Sequence, residues 1–530
     1  MAISDKPVRA QQTAVATDAP PPGWEQWTRD TRFFGHPRGL ATLFFTEMWE
    51  RFSYYGIRPL LVLFMSLALA NGGFGFERTQ ASAIVGIYAA SVYLASLPGG
   101  WVADRLLGLR RAILYGAILI SAGHISIGIS SFLGVRLPFF LGLVLIVCGT
   151  GLLKPNISAI VGDLYPEGGA RRDAGFSIYY MGINIGAFVG QLVTGFLGEK
   201  VGWGLGFGAA GVGMLLGLVT FSIFARRTLG DIGMSPTRHP DPIVQARRER
   251  TVKTTLAIGV AVLAIVIVLA ATGMITINPQ MVGRKMTYVL VGTAVVYFLY
   301  LFTAGGLNPD EKRRVAVIGV LFVAAAIFWS AFEQAPTSLN LFARDFTDRK
   351  LGSFEIPATW FQTVNSLFVI LLAPVAAATW VGLSRRPSGD LSSPAKFALG
   401  LALAAVGFAL MIVAANHVVA SGGALKVSPW WLVGSYFFQT VGELSLSPVG
   451  LSSMTKLSPR RYVGQMMGIW FLASALGNLI AGLLGGNVDP SKLEQTPQLF
   501  TITTVSLLVS AVVLALLVVP IRKMMGEAKH

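Results

Sequence analysis

Cysteine is almost absent from this sequence: its 530 residues include one, Cys148, which lies in an apolar stretch. A disulfide framework and a cysteine-based metal or redox site are therefore excluded. The five histidines are scattered and show no spacing typical of metal ligands, such as HExxH. We predict that the chain binds no metal and no cofactor.

Charged residues are also scarce. Only 13% of the residues are charged and 53% are hydrophobic, whereas an average soluble domain has about 25% charged residues. An apolar run of about 20 residues crosses the hydrocarbon core of a bilayer as a helix. We predict an all-α polytopic membrane protein with fourteen spans, near residues 40–69, 79–102, 110–132, 138–162, 174–198, 203–225, 254–274, 287–306, 314–342, 356–383, 396–419, 429–455, 462–485 and 498–521.

Two kinds of motif that would point to an enzyme are missing. No Walker A pattern with Gly-Lys-Ser/Thr is present, and no nucleophile and base stand at a catalytic motif spacing. The stretch Gly206 to Gly211 matches GxGxxG, but it opens no βαβ unit, so close helix packing is its expected role. His124 stands alone in an apolar run and is expected to be packed and neutral. We predict that the chain is not an enzyme.

Acidic residues are fewer than basic ones, 26 Asp and Glu against 42 Lys and Arg, which gives a net charge of +16. The basic residues lie in short loops and are not interleaved with aromatics on a soluble face, so no nucleic acid is expected as a partner. The loops on one side of the predicted membrane, together with both tails, hold 29 of them, and the opposite loops hold ten. Because basic loops stay in the cytoplasm, we predict a multi-pass protein of the cell (inner) membrane with both termini cytoplasmic. The lipid bilayer is its expected surrounding, and no obligatory protein partner is evident.

The chain divides at its two tails and at one basic linker. Residues 1–38 lack the apolar core of a signal peptide and are expected to form a flexible cytoplasmic tail, and residues 523–530 form the other tail. The Trp-Val and paired arginines of the inner loop at 101–111 are echoed at 380–386. If the linker and two peripheral spans (227–311) are set aside, this echo predicts two six-helix halves, 39–226 and 312–522. Two halves with a site between them are typical of secondary transporters.

The first span carries an unusual set of charges: Glu47, Glu50, Arg51 and Arg58. At about 100° per residue, Glu47, Arg51 and Arg58 lie within about 40° of one another, and Tyr54 lies on the same stripe. A charge inside the bilayer costs about 3 kcal/mol unless it faces a partner or water, so this stripe is expected to line a polar cavity. The alternative is a helix that begins after a solvated cap, which would leave too few apolar residues to span.

Three further charges lie in other spans. Lys154 stands beside a proline in the fourth span, and Glu333 and Glu443 are lone carboxylates of the second half. Opposite charges on opposite halves suit gate salt bridges, formed by Arg58 and Lys154 with Glu333 and Glu443, which break and re-form as the cavity opens and closes. A buried carboxylate that loses its cationic partner can take up a proton, which would couple protons to the motion. The alternative for Lys154 is a side chain that extends to the inner surface.

Aromatic and amide side chains complete the expected lining. An unpaired amide in hydrocarbon is costly, so amides in spans point to a polar cavity. A single tyrosine or tryptophan is more often a packing residue or an interface anchor. The set comprises Tyr54, Tyr55, Tyr93, Asn184, Trp329, Asn365, Trp470 and Ser474.

Several motifs resemble one family of transporters. The sequence from Glu47 to Gly56 is similar to the ExxERFxYYG signature of the first helix in the proton-dependent oligopeptide transporter (POT) family of the major facilitator superfamily. The stretch from Phe176 to Gly186 resembles the fifth-helix signature of this family, with Tyr179 where phenylalanine is frequent, and Asp104 to Arg111 resembles the loop 2–3 motif of the superfamily. The resemblance covers nearly the whole chain. It implies the major facilitator fold, with twelve core helices in two six-helix halves and the two extra helices that are usual in bacterial members.

The resemblance also implies roles for individual residues. Proton coupling would use Glu47, Glu50, Arg51, Lys154 and Glu333. Arg58 and Lys154 would attract the carboxylate of a peptide, and Arg58 could also pair with Glu333 at the outer gate. Asn184, Asn365 and Glu443 would hold the amino terminus of the peptide. Tyr54, Tyr55, Tyr93, Trp329, Trp470 and Ser474 would shape the side-chain pockets. The second-helix histidine of animal members is missing, so a histidine relay is not expected.

The expected function is a proton-coupled symporter that imports di- and tripeptides. The proton is its coupling ion. A transporter of the same fold for nitrate, another small solute or drugs is an alternative. A nutrient sensor that keeps the pocket without transport is an alternative from another class.

Overall fold

The computed structural model describes residues 24–237, 239–385 and 391–525, which are helical almost throughout. The sheet found in these residues is a two-stranded antiparallel hairpin, β1 (Lys350–Leu351) and β2 (Phe354–Glu355). The helices are α1 (Glu25–Thr28), α2 (Arg38–Ser66), α3 (Arg78–Val102), α4 (Leu109–Leu133), α5 (Arg136–Asp163), α6 (Gly169–Phe196), α7 (Trp203–Leu229), α8 (Pro242–Ala271), α9 (Pro279–Thr303), α10 (Pro309–Phe332), α11 (Asn340–Phe346), α12 (Thr363–Ser384), α13 (Ser393–Ala420), α14 (Trp430–Leu457), α15 (Val463–Gly485) and α16 (Gln495–Met525). Arg238 of the predicted linker, Arg386 of the loop echo and the tail residues 1–23 and 526–530 lie outside the described residues.

Each of the fourteen predicted spans corresponds to one of these helices, and the span at 314–342 corresponds to α10 with α11. In the described residues, twelve helices are long and apolar enough to cross a membrane. The other two long helices are α2 and α14, which have 29 and 28 residues. At 1.5 Å per residue each is about 40 Å long, enough to cross a bilayer. Their composition differs because they carry charged and polar side chains. The all-α polytopic fold is therefore confirmed.

The long helices pack in two groups. In the first group α2 lies against α6 and α7, and α4 lies against α5 and α7. In the second group α13 lies against α14 and α16, and α10 lies against α15 and α16. The groups meet along α3 with α15 and along α6 with α12. A cavity between the groups is therefore bordered by both.

Small residues bring α3 and α15 together backbone to backbone. A Cβ atom on Gly86 would lie 2.8 Å from the Cα of Gly482 and 2.7 Å from the carbonyl oxygen of Asn478. Ser82 and Gly86 are four residues apart on α3, and a Cβ atom on Gly482 of α15 would lie 2.8 Å from the carbonyl oxygen of Ser82. This is the small-xxx-small spacing of closely packed membrane helices. Any larger side chain here would push the two helices apart.

Helices α8 and α9, which correspond to the two spans within 227–311, lie outside the two groups. In α8 only Val252 is buried among the described residues. Helix α9 packs on α3 and α15 and buries Gly283, Leu290, Ala294 and Leu301. The other faces of this pair are open to the surrounding lipid.

The N-terminal segment, residues 24–37, folds against the first group of helices. Arg171, in the first turn of α6, donates hydrogen bonds to the carbonyl oxygens of Thr28 at 3.0 Å and of Asp30 at 2.9 Å. The buried His36 ring shares a 2.8 Å hydrogen bond with the hydroxyl of Tyr165. The expectation of a flexible tail is therefore wrong for these residues, because a basic side chain and buried ring contacts hold the segment in place.

The connections between helices define two ends of the molecule. The N-terminal segment and the connections at 103–108, 164–168 and 458–462 lie at one end, here called the terminal end. The connections at 67–77, 347–357 and 421–429 lie at the opposite end, here called the far end. Between α10 and α11 the chain passes through a wider helical turn at Ala335–Leu339, which contains Pro336. Because proline removes a backbone donor, it interrupts regular α-helix just after Glu333.

Candidate functional site

A central cavity of about 270 Å³ lies between the two groups of helices. This volume is close to the lower end of the range for small-molecule sites, about 300 Å³. Of the fifteen residues that the sequence points to, thirteen line it: Glu47, Arg51, Tyr55, Arg58, Tyr93, Lys154, Asn184, Trp329, Glu333, Asn365, Glu443, Trp470 and Ser474. The structure therefore brings residues from α2, α3, α5, α6, α10, α12, α14 and α15 to one place.

Glu47, Glu50 and Arg51 form a buried charged cluster on α2. The Arg51 Nε atom lies 2.9 Å from a Glu47 oxygen and 2.5 Å from a Glu50 oxygen. All three side chains are almost completely shielded from solvent. One cation is thus shared by two carboxylates, so the cluster has a net negative charge when all three groups are ionised. A site of this kind can accept a proton without any change of fold.

Arg58 and Glu333 form an ion pair between the two groups of helices. Both side chains are buried, with 8% and 6% of their surfaces exposed. Arg58 also donates a hydrogen bond of 3.0 Å to the Oδ1 of Asn478 on α15. The predicted bridge between Arg58 and Glu333 is therefore present, and a residue that the sequence reading missed supports it.

Tyr54 and Glu50 do not line the cavity. Tyr54 is 3% exposed and its ring lies against the rings of Tyr55 and Tyr88, at 5.1 and 6.1 Å between centroids. The Arg51 guanidinium carbon lies 5.4 Å from the centre of the Tyr54 ring. A direct contact between Tyr54 and a ligand is therefore not supported, because α3 covers this ring. It lies between the cationic side chains of α2 and holds them by cation–π contacts.

Lys154 extends into the cavity and does not reach the terminal surface. Its ammonium nitrogen lies 4.3 Å from the centre of the Tyr93 ring, which belongs to α3. Within residues 24–237, 239–385 and 391–525, no ion pair joins Lys154 to Glu443, so the second predicted gate bridge is not formed in this structure. The lysine charge is instead held over an aromatic face.

Glu443 lies with two polar neighbours on the opposite side of the cavity. Asn365 Nδ2 donates to Thr440 Oγ1 at 2.9 Å and approaches a Glu443 oxygen at 3.3 Å. Asn184, on α6, donates to the carbonyl of Tyr180 within its own helix at 3.0 Å. The carboxylate of Glu443 therefore has an amide partner but no cationic one among the described residues.

Several polar atoms around the cavity have no hydrogen-bond partner in the part of the chain that the structure describes. Trp329 Nε1 and Gln362 Nε2 are donors of this kind, and Gln191 Oε1 is an acceptor. Each belongs to a residue of the cavity wall. Buried polar atoms are normally paired, so these atoms are available to a ligand or to water.

The sequence reading missed a second set of polar and aromatic wall residues. A single Gln or Tyr in an apolar run has many structural explanations, and that is why these residues gave no clear signal. For Asn478 a signal existed, because it follows Ser474 by four residues and so lies on the same helix face. The missed wall residues include Tyr180, Gln191, Phe332, Gln362, Tyr436, Gln439, Ser447 and Phe471.

Arg78 and Asn340 make polar contacts that join the groups of helices at the far end. Arg78, at the start of α3, forms an ion pair of 2.5 Å with Asp345 of α11 and donates to the carbonyl of Val488 at 2.9 Å. Asn340 Nδ2 donates to the carbonyl of Pro59 on α2 at 2.7 Å. With the ion pair of Arg58 and Glu333, these contacts join the two groups of helices at the far end.

Glu199 makes a further far-end junction. It follows α6 and accepts hydrogen bonds from the backbone amides of Ala358 and Thr359, both at 2.9 Å, and from the hydroxyl of Thr359 at 2.8 Å. A carboxylate at this position satisfies the free amides at the start of the short helix before α12. Next to it, Lys200 pairs with Glu355 at 3.0 Å, and this hydrogen bond holds the pKa of Glu355 below its usual value.

No group of three or more His, Cys, Asp or Glu side chains with a metal-binding arrangement occurs among the described residues. His124 is completely buried in α4 and does not line the cavity. What the cavity can do chemically follows from its charges. It presents cations on α2 and α5 and, on α14, a carboxylate that has no cationic partner among the described residues, so it can hold a small molecule that has opposite charges at its two ends.

Known proteins resemble this chain over almost its whole length. The sequence model described as the POT family matches residues 110–499. The chain is 50% identical over 501 residues to the peptide transporter YePEPT of Yersinia enterocolitica subsp. palearctica, covering 94% of this chain and 97% of that protein. It is 37% identical over 508 residues to a di-/tripeptide transporter of Lactococcus lactis subsp. cremoris, covering 94% and 98%. The crystal structure of a peptide transporter POT in complex with sulfate matches with a TM-score of 0.85 at 40% identity, covering 96% of this chain and 98% of that one.

Proposed function

The chain belongs to the POT family, and on this premise we propose that it is a proton-coupled symporter that imports di- and tripeptides by alternating access. The observation that carries the proposal is the distribution of charge around the central cavity. Arg58 and Lys154 lie on one side, and Glu443 with Asn365 lies on the other. A di- or tripeptide is a zwitterion, so such a cavity complements both of its ends.

In the proposed complex the peptide carboxylate lies near Arg58 and Lys154. Its ammonium group meets Glu443, whose Asn365 neighbour orients the carboxylate, and Asn184 offers a further amide from α6. Side chains of the peptide contact the aromatic and small polar wall formed by Tyr55, Tyr93, Trp329, Trp470 and Ser474. Aromatic faces accept varied side chains through weak contacts, which suits a transporter of many different peptides.

For proton coupling we propose the cluster of Glu47, Glu50 and Arg51, together with Lys154 and Glu333. The support is geometric, because one guanidinium is shared by two buried carboxylates. A proton on one carboxylate frees part of the Arg51 charge, and this change can be passed to the peptide site that Arg51 also lines. Tyr54 is proposed as a positioning residue that separates the cations of α2.

For alternating access we propose that 39–226 and 312–522 act as two six-helix halves in the cell (inner) membrane, with the far end outside and both termini in the cytoplasm. The excess of Lys and Arg in the terminal-end connections supports this orientation. The ion pair of Arg58 and Glu333 then closes the outer side. Lys154 and Glu443 would form the corresponding inner bridge when the terminal end closes, because they are separate while the far-end pair is made.

Uptake by proteoliposomes tests the coupling scheme. With an inward pH gradient, the unaltered protein should accumulate a labelled dipeptide above its outside concentration. Glu50→Gln and Lys154→Ala should abolish this accumulation, because the proton site or its coupled cation is lost. Asp310→Asn, which removes an exposed carboxylate from α10, should accumulate normally. Dipeptide-dependent thermal stabilisation of each variant shows that it is folded. Unchanged accumulation in both variants would contradict the scheme.

Competition by unlabelled solutes tests the substrate class in the same vesicles. Di- and tripeptides should inhibit uptake of the labelled dipeptide, and nitrate or single amino acids should not. Inhibition by nitrate at similar concentrations would favour another small solute as the substrate. Saturable peptide binding without any uptake would identify a sensor.

A further inference from the structure

A second cavity, of about 350 Å³, lies at the terminal end of the second group of helices. Its walls are the first two turns of α10 and the connection between α14 and α15. We call it the arginine pocket, and it is lined by Glu311, Arg314, Ser458, Pro459, Arg460 and Arg461. None of these residues lines the central cavity.

The arginine pocket has three guanidinium groups and one carboxylate. That carboxylate is already in use, because Glu311 accepts a hydrogen bond of 3.0 Å from the Asn308 amide and lies 3.7 Å from Arg461. The side chains of Arg314 and Arg460 have no hydrogen bond or ion pair with any residue that the structure describes. Like charges that converge on one space repel each other, so an anion in this space would be stabilised.

The walls of the pocket are held by specific contacts. Arg461 donates a hydrogen bond to the carbonyl of Gly306, and the Tyr462 hydroxyl donates to the carbonyl of Gly305 at 3.0 Å. Gly306 has a φ of 61°, a left-handed conformation that glycine adopts without strain. These bonds fix the α9–α10 connection against the turn that carries Arg460 and Arg461. The amino-terminal end of α10 adds a positive helix dipole beside the pocket.

The adjoining helix α9 presents an apolar face to the bilayer. Val295, Val296 and Leu299 are 52%, 66% and 57% exposed, and Tyr300 at the end of this face is 47% exposed. The hydroxyl of Tyr297 donates to Gln465 at 2.6 Å. Tyrosines of this kind mark the level where hydrocarbon meets the head-group region. The pocket therefore lies next to a surface along which an acyl chain can extend.

We propose that the arginine pocket binds a phosphate group, and that its source is an anionic phospholipid of the cytoplasmic leaflet. Guanidinium groups bind phosphate oxygens through paired, charge-assisted hydrogen bonds. Basic pockets between helices on the cytoplasmic side suit anionic head groups. A free phosphate ion has the same chemistry but makes no contact with α9. A bound lipid would tie the start of α10 to the α14–α15 connection.

Lipid binding to the purified protein tests the proposal. The detergent-solubilised protein is titrated with phosphatidylglycerol, phosphatidylcholine or inorganic phosphate, and binding is followed by native mass spectrometry and by the thermal unfolding temperature. The test variant is Arg314→Gln with Arg460→Gln, which leaves the Arg461 contact to Gly306 intact. Its matched control is Arg247→Gln with Arg250→Gln, which removes the same charge from exposed positions on α8.

We expect phosphatidylglycerol to bind and to stabilise the unaltered protein and the control, with phosphatidylcholine much weaker. The dissociation constant for phosphatidylglycerol should rise at least about tenfold in the test variant, because two charge-assisted contacts are lost. Stabilisation by inorganic phosphate that the test variant loses would support the anion site with a free ion as its source. Equal phosphatidylglycerol binding by the test variant and the control would overturn the proposal, as would a lack of preference between the two lipids.

Discussion

Replacing Glu333 with glutamine tests whether its ion pair with Arg58 holds the far end closed. Deleting one partner of a buried ion pair leaves the other charge without its counterion, which costs about 3–5 kcal/mol. Glutamine can still accept a hydrogen bond from Arg58, and Asn478 still accepts one at 3.0 Å. Because these hydrogen bonds remain, the closed state should lose only part of this cost, about 1–2 kcal/mol relative to the open state, which shifts the open-to-closed ratio about 5- to 30-fold.

Distances between spin labels measure this ratio directly. Leu69 and Leu425 lie in far-end connections of the two different groups and are 68% and 65% exposed, so labels there should be tolerated. With Cys148→Ser as the background, Leu69→Cys and Leu425→Cys provide the only attachment sites. Glu333→Gln should increase the population with the longer distance by the ratio above.

Asp310→Asn is the control for this experiment, because it removes a carboxylate from the same helix, where 78% of its side chain is exposed. It should leave the distance distribution unchanged. A distribution for Glu333→Gln that equals that of the unaltered protein would refute the role of the pair as a gate. An equal shift in Asp310→Asn would show that loss of any carboxylate from this helix opens the far end, and it would refute a specific effect of the buried pair with Arg58.

Three further changes have defined outcomes. Glu443→Gln should raise the KM for a free dipeptide about tenfold, because the ammonium group of the peptide loses its carboxylate partner. The KM for an N-acetylated dipeptide, which has no ammonium group, should not change, and an equal rise for both peptides would contradict the assignment. Glu199→Gln should increase far-end opening, since an amide cannot accept all three hydrogen bonds, and unchanged spin-label distances would count against it. Burial raises the pKa of Asp30, but hydrogen bonds from Arg32 and Arg38 outweigh this and hold it below its usual value. The ionised carboxylate therefore stabilises the N-terminal segment above about pH 4 and less as the pH falls. The protection of the backbone amides of residues 24–37 against hydrogen exchange, relative to the intrinsic exchange rate at each pH, should therefore fall in acid and in Asp30→Asn.

Much of the fold and of the cavity could be predicted because charge in an apolar run is a strong signal. Glu47, Arg51 and Arg58 can lie in one membrane helix only if they face a shared polar space, and the structure places them there. Periodicity could not separate Tyr54 from the cavity. Tyr54 does lie on the same side of α2 as Arg51 and Arg58, but Tyr88 of the neighbouring helix α3 covers its ring. Only the packing of α2 against α3 decides that.

Other features depend on partners that are distant in the sequence. Glu199 reads as a solvated loop residue until the amides before α12 lie beside it. The N-terminal segment reads as a tail because it is polar, and only the position of Arg171 shows where its carbonyl groups are bound. Gln191 and Gln362 gave no signal, because a single amide in an apolar run has no period. The role of each of these residues depends on contacts with residues that are distant in the sequence, and the local composition does not reveal it.

The backbone contact of α3 with α15 also offers a way to hold the transporter in one state. Gly86 and Gly482 have no side chains, so the backbones of the two helices are in direct contact at this point. A single methyl group added at Gly86 would act as a wedge. This methyl group would contact Asn478 and Gly482, which do not line the central cavity, and it would favour whichever conformation separates the two helices. This contact is therefore a natural position for engineering a conformational trap for structural work on the opened molecule.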